Sequence, residues 1–161
     1  MSKNNFEEMI QLAEDVFAVK NDPSQLDVNE DVIARLMQLH SATVSEKEDE
    51  DGPVAWILLI PTTLELMNQF LQYEISEKEL FEMTPMHGEY EAIYLCSALV
   101  LERYRRQGVA QTLAINAIEK IKKSHPIKAL FVWAFSFEGA RRSKAIAQEV
   151  AMPLFERIQS K

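Results

Sequence analysis

Cysteine is nearly absent from this sequence of 161 residues. The lone thiol, Cys96, forms no internal disulfide and leaves no cysteine cluster to hold a metal. Long apolar runs are missing as well. The longest, at 54–60 and 93–101, fall far short of the roughly 20 residues that span a bilayer, and residues 1–8 carry no apolar signal core. A cytoplasmic protein without a membrane partner is therefore expected. Positive charge is in deficit, with 17 Lys and Arg against 25 Asp and Glu and a formal charge of −8. That balance argues against a nucleic-acid partner, because such affinity comes largely from basic contacts to phosphates. The three histidines, His40, His87 and His125, are scattered without a second ligand at metal spacing, so no metal site is expected. Internal repeats and low-complexity linkers are absent too.

What remains, 47% hydrophobic and 26% charged residues, is the composition of an ordinary globular chain, and the length fits one domain over 1–161. Phe6, Met9, Ile10, Ala13, Val16 and Phe17 recur at helical spacing and predict a helix over 5–20. Val32, Ile33, Leu36, Met37 and His40 predict a second, short one, with Asp27 or Asn29 as its cap. The period then changes. Residues 42–45 and 54–60 read as two strands joined by a solvated acidic loop over 46–53. Residues 63–73 return to helical spacing, and Ser76 with Glu79 forms a capping-box pattern that opens another helix. The run 93–101 is bulky on both alternating faces, as expected of a central strand covered on both sides. A clear amphipathic helix follows over 108–121, then a strand over 129–135, then a helical stretch over 140–158 that Pro153 either kinks or ends in a turn. The fold class is α/β (α+β), a mixed central sheet flanked by helices, with helices over 1–40 leading into a core over 42–161.

The informative feature is strand, arginine-rich turn, helix: Ala98, Leu99 and Val100, then Arg103, Arg105 and Arg106, then Gln107, Gly108, Val109, Ala110 and Gln111. The first amides of a helix lack internal partners and sit at the positive end of its dipole, so a loop that presents them openly makes an anion site suited to a pyrophosphate. Gly108 and Ala110 let a ligand approach the backbone, while Arg105 and Arg106 add formal charge. Bland readings stand beside this one: arginines solvated or paired with Glu102, Cys96 as a small hydrophobe, Arg141, Arg142 and Lys144 as an exposed helix face, and Trp56 and Trp133 as core.

In this turn the chain resembles the GCN5-related N-acetyltransferase superfamily, whose signature is Arg or Gln, two free positions, Gly, one free position, then Gly or Ala. Arg105, Gly108 and Ala110 fill it, and Val100 and Tyr104 match the upstream part, where Glu102 replaces the usual proline. A weaker likeness runs through Gln148, Ala151, Leu154, Phe155, Glu156, Arg157 and Ile158. Phe155 stands where the family often has the Tyr that protonates the leaving thiolate, and the family usually continues into two more strands, so a shortened C-terminal region is expected.

The resemblance implies acetyl-CoA as acyl donor and a small-molecule or peptide amine as acceptor. Its arm would lie along the backbone of Ala98, Leu99 and Val100, with its pyrophosphate on the amides from Arg106 to Gln111. The amine would attack the thioester directly, with Glu91 as the first candidate base and Tyr94 as the second. A shortened C-terminal region implies an open sheet edge, which a homodimer would cover. The alternative is a catalytically inactive domain of the same fold that binds CoA or a protein partner, motivated by Phe155 and the missing strands. An unrelated α/β domain using the turn for another phosphate ligand is a third reading. The acceptor itself is not readable, since fold alone does not fix function.

Overall fold

The computed structural model describes residues 30–50, 52–100, 104, 107–133 and 137–157. The helix expected over 5–20, the caps Asp27 and Asn29, and the turn residues Arg103, Arg105 and Arg106 lie outside them. The described elements are α1 (Glu30–Leu39), β1 (Val44–Asp49), β2 (Gly52–Thr62), α2 (Leu64–Leu71), α3 (Glu77–Met83), β3 (Ala92–Val100), α4 (Val109–Ser124), β4 (Ala129–Val132), α5 (Phe137–Glu149) and β5 (Leu154–Glu156). The strands form one sheet in the order β1-β2-β3-β4-β5. The first three are antiparallel neighbours, and β3, β4 and β5 run parallel. Parallel neighbours need a crossover, and α4 and α5 supply the two that are required. Among the described residues no helix is long and apolar enough to cross a membrane.

Strand β3 occupies the middle of the sheet, as its bulky faces predict, and Ala92, Ile93 and Tyr94 are fully buried. Tyr94 lies opposite Phe131 of β4, and Phe70 of α2 packs edge-on against both rings, at 5.0 and 5.8 Å. Alternation sends Ile93 and Leu130 to the other face of the sheet. Helix α4 lies against β1, β2 and β3, burying Ala110, Ala114, Ala117, Ile118 and Ile121. Trp56 is core, as expected.

Two expectations are corrected. The acidic stretch is not a loop, since Glu46, Lys47, Glu48 and Asp49 extend β1 and pair with β2. Strand β1 lies at the sheet edge, where charged side chains reach water while the backbone is still satisfied on one side. Pro153 neither kinks a helix nor merely ends one. Helix α5 stops at Glu149, Ala151 closes it in the left-handed region with Met152 N donating to Ala147 O (3.0 Å), and β5 then pairs with β4. Of the run expected as a strand over 129–135, β4 takes Ala129–Val132, and 134 and 135 lie outside the described residues. Strand β5 falls within the segment of the weaker likeness and is three residues long.

Thr63 caps α2 through Leu66 N (3.2 Å), and the predicted capping box is present, with Ser76 Oγ accepting from Glu79 N (3.1 Å) and Glu79 Oε1 from Ser76 N (3.0 Å). At the other end of the sheet, His40 and His125 come together, with rings 6.1 Å apart. His40 Nδ1 accepts from Ala42 N (3.0 Å), and burial, reinforced by the charge of His125, holds His40 below the ordinary imidazole value. Substituting Ser76→Ala should cost about 1 kcal/mol, read by chemical denaturation. The His40 shift means that the unfolded state binds a proton more readily, so stability should fall as pH drops below the ordinary imidazole value. His40→Asn should flatten that slope in denaturation curves taken across this range.

Candidate active site

The site begins with an irregularity in β3. Leu58 of β2 pairs with Ser97 and Leu59 with Leu95, so Cys96 is an extra residue without a β2 partner. Such a bulge bends the strand and sharpens its twist. Pairing with β4 ends at the same place, with Leu95 opposite Val132, while β3 continues along β2 to Val100. From Cys96 onward β3 keeps only its β2 ladder among the described residues, as far as Val100.

Helix α4 starts beside the end of β3. Its N-cap, Gly108, sits in the left-handed region at φ 74° and offers no side-chain cap. The first helical hydrogen bond is Thr112 N to Gly108 O (2.9 Å), so the amides of Val109, Ala110 and Gln111 precede the helical ladder. No neighbouring atom lies within 4 Å of where a Cβ on Gly108 would sit, and Gly108 and Gln107 are exposed. The turn is tied down from the far edge of the sheet, where Tyr104 donates to Asp49 Oδ2 of β1 (2.7 Å).

The aromatic face of the sheet carries a buried polar cluster beside the last β3–β4 pair. Tyr94 donates to Glu77 Oε2 (2.5 Å), and the Glu77 residue is only 6% exposed. Burial first, then the Glu77 charge, holds the Tyr94 hydroxyl well above its usual range, while Arg157 opposes the shift. Burial and the same carboxylate push the Cys96 thiol well up. Both groups stay protonated, so Cys96 is no thiolate nucleophile. Arg157, just beyond β5, rests its guanidinium on the rings of Phe70, Trp133 and Tyr73 at 4.4, 4.6 and 4.8 Å and donates to Ile75 O (3.2 Å). Tyr73 takes up the left-handed region to present its ring there.

Of the sequence-predicted residues, Ala98, Leu99, Val100, Gln107, Gly108, Val109, Ala110 and Gln111 fall along the end of β3 and the start of α4. Arg105 and Arg106 belong to the undescribed turn between them. The two candidate bases are kept apart. Tyr94 adjoins the last β3–β4 pair, whereas Glu91 precedes β3 and pairs with Lys128 (3.1 Å). Trp133, expected as core, follows β4 and is partly buried, packed against Phe70 (6.1 Å) and under the Arg157 guanidinium (4.6 Å). Phe155 is exposed. Glu77, Tyr73 and Arg157 were missed as site residues, because nothing in their local pattern tells that Glu77 meets Tyr94 of β3 or that Arg157 reaches back to Tyr73 and Ile75.

An antiparallel sheet that turns parallel at β3 and β4 and is followed by an uncapped helix start has counterparts among solved structures. Arabidopsis thaliana NAA60 in complex with acetyl-CoA superposes with a TM-score of 0.52 at 14% identity, over 91% of this chain and 82% of that one. An aminoglycoside acetyltransferase, meta-AAC0020 from an uncultured soil metagenomic sample, in complex with trehalose, aligns at 0.49 and 17% identity, over 92% and 84%. No protein-family profile matches the sequence, and no curated protein matches it. The chain has the GCN5-related N-acetyltransferase fold in a form divergent in sequence, as the likeness to NAA60 shows.

The protonated state of Cys96 is open to direct test. In the folded protein at mildly alkaline pH, a disulfide reagent should modify Cys96 at least about tenfold more slowly than a free cysteine, and denaturant should restore the ordinary rate.

Proposed function

We propose that this chain is an acetyl-CoA-dependent N-acetyltransferase that moves the acetyl group to the amine of a small-molecule or peptide acceptor by direct attack on the thioester. One juxtaposition carries the reading: the stretch of β3 beyond its last β4 pair, followed by a helix N-terminus whose first amides are uncapped. An extended pantetheine arm needs the first, and a pyrophosphate needs the second. In this reading the backbone of Ala98, Leu99 and Val100 pairs with the arm. Arg105, Arg106, Gln107, Gly108, Val109, Ala110 and Gln111 wrap the pyrophosphate with amides and guanidinium charge. NAA60, which shares the fold, was solved with acetyl-CoA, and this supports the choice of donor.

The chemistry asks little of side chains. Once the thioester and amine are aligned, the chain must remove one proton from the ammonium and stabilise the oxyanion, for which a strand amide at the bulge is suited. Of the expected bases, Tyr94 lies beside the last β3–β4 pair and Glu91 is held on Lys128, so Tyr94 is the one retained here as a contributor to the site.

Calorimetric titration with acetyl-CoA tests the proposal. Micromolar binding is expected, retained in Gly108→Ala and weakened roughly tenfold or more, about 1.4 kcal/mol, in Gly108→Glu, whose side chain brings bulk and negative charge to the phosphates. Both variants place a Cβ on the same left-handed backbone, so a difference between them reports the ligand and not the strain. No binding by the native protein would refute the reading.

A further inference from the structure

We propose that Glu77 is the carboxylate that takes the proton from the acceptor's ammonium group, with Tyr94 as the positioning residue that holds it; this rests on the acetyl-transfer reading above. A buried carboxylate is costly to keep unless its environment compensates, and here the side chain comes from a helix inserted between β2 and β3 and turns inward onto the sheet. It meets β3 at Tyr94, one residue before the last β4-paired position and two before the bulge at Cys96. Glu77 therefore reaches the aromatic face of the sheet beside the last β3–β4 pair, next to the stretch of β3 that the acetyl-transfer reading assigns to the acyl donor.

The neighbouring groups sharpen the assignment. Tyr94 and Cys96 on β3 are both held protonated, which leaves the Glu77 carboxylate as the proton acceptor among the three. Arg157, beyond β5, is committed to three aromatic rings and the carbonyl of Ile75. Its hold on Tyr73 and Ile75 fixes the turn that leads from α2 into α3, and so fixes the approach of Glu77. Glu91 is engaged by Lys128 at the far end of β3.

The step balances without a further reactant. The ammonium gives one proton to Glu77, and the freed nitrogen forms a bond to the thioester carbonyl carbon. The tetrahedral intermediate collapses by breaking the C–S bond, the thiolate takes the second nitrogen proton to become the free thiol, and Glu77 returns its proton to water.

The test compares the native protein with Glu77→Gln, Tyr94→Phe and the surface control Glu82→Gln, which lies exposed on the same helix. Acetyl-CoA binding is measured by calorimetry. Transfer to ethylamine, a minimal acceptor, and to spermidine is followed across neutral and alkaline pH. Glutamine keeps the shape of Glu77 and can still accept from Tyr94, so Glu77→Gln should bind acetyl-CoA as the native protein does. Its kcat/KM should fall roughly a hundredfold or more, and the limb that rises with pH should lose the carboxylate's titration. Tyr94→Phe should move that limb to higher pH, because the carboxylate loses a donor that favours its charged form. Glu82→Gln should change nothing. Native-like turnover and pH dependence in Glu77→Gln would overturn the inference, as would a native protein that binds acetyl-CoA but transfers to neither amine. Should Glu77→Gln fail to fold, an unmoved limb in Tyr94→Phe overturns it. Failure of the native protein to bind acetyl-CoA instead strikes the acetyl-transfer reading itself.

Discussion

Because Cys96 has no partner on β2, strand β3 must accommodate an extra residue at the very position where its pairing with β4 stops. A bulge adds local twist, and a strand that twists more than its neighbour cannot stay in register with it. Tyr94, Leu95 and Cys96 therefore stand together at the last β3–β4 pair and the bulge, with Glu77 on Tyr94 from the aromatic face.

The start of α4 and the aromatic face of the sheet are built from different chemistry. At the start of α4 the exposed groups are backbone amides, made available by a glycine whose left-handed geometry turns the chain into the helix without a side-chain cap. On the aromatic face the polar groups are side chains brought from three separate places: Glu77 from the α2–α3 insertion, Tyr94 from β3 and Arg157 from beyond β5. Their placement depends on packing, with Phe70 at its centre touching Tyr94, Phe131 and Trp133.

Strand β5 shows how a short element can carry a distant contact. Strand β5 has three residues and adds little pairing, yet it carries Arg157 to the rings of Phe70, Tyr73 and Trp133. A guanidinium stacked on aromatic faces keeps much of its attraction in a partly dry setting and exchanges less with water than an exposed ion pair would. It closes the aromatic face where the sheet would otherwise end abruptly.

Local pattern was enough to determine the helices of 30–39, 64–71 and 109–124, the capping box at Ser76, the central strand and the glycine that opens the helix after it. Each of these rests on periodicity or on backbone groups a few residues apart, which any reader of the chain can count. The extension of the acidic residues into β1, the strand after Pro153 and the bulge at Cys96 were decided by pairing with distant partners, for which the local pattern carries no mark. The same holds for the carboxylate on Tyr94. By sequence Glu91 is the closer neighbour of the central strand, but Lys128 claims it; Glu77, 17 residues from Tyr94 along the chain, reaches that strand because α3 folds back onto it. Contacts of that kind are settled only when the whole core closes, since their free energy comes from burial that no single segment achieves alone.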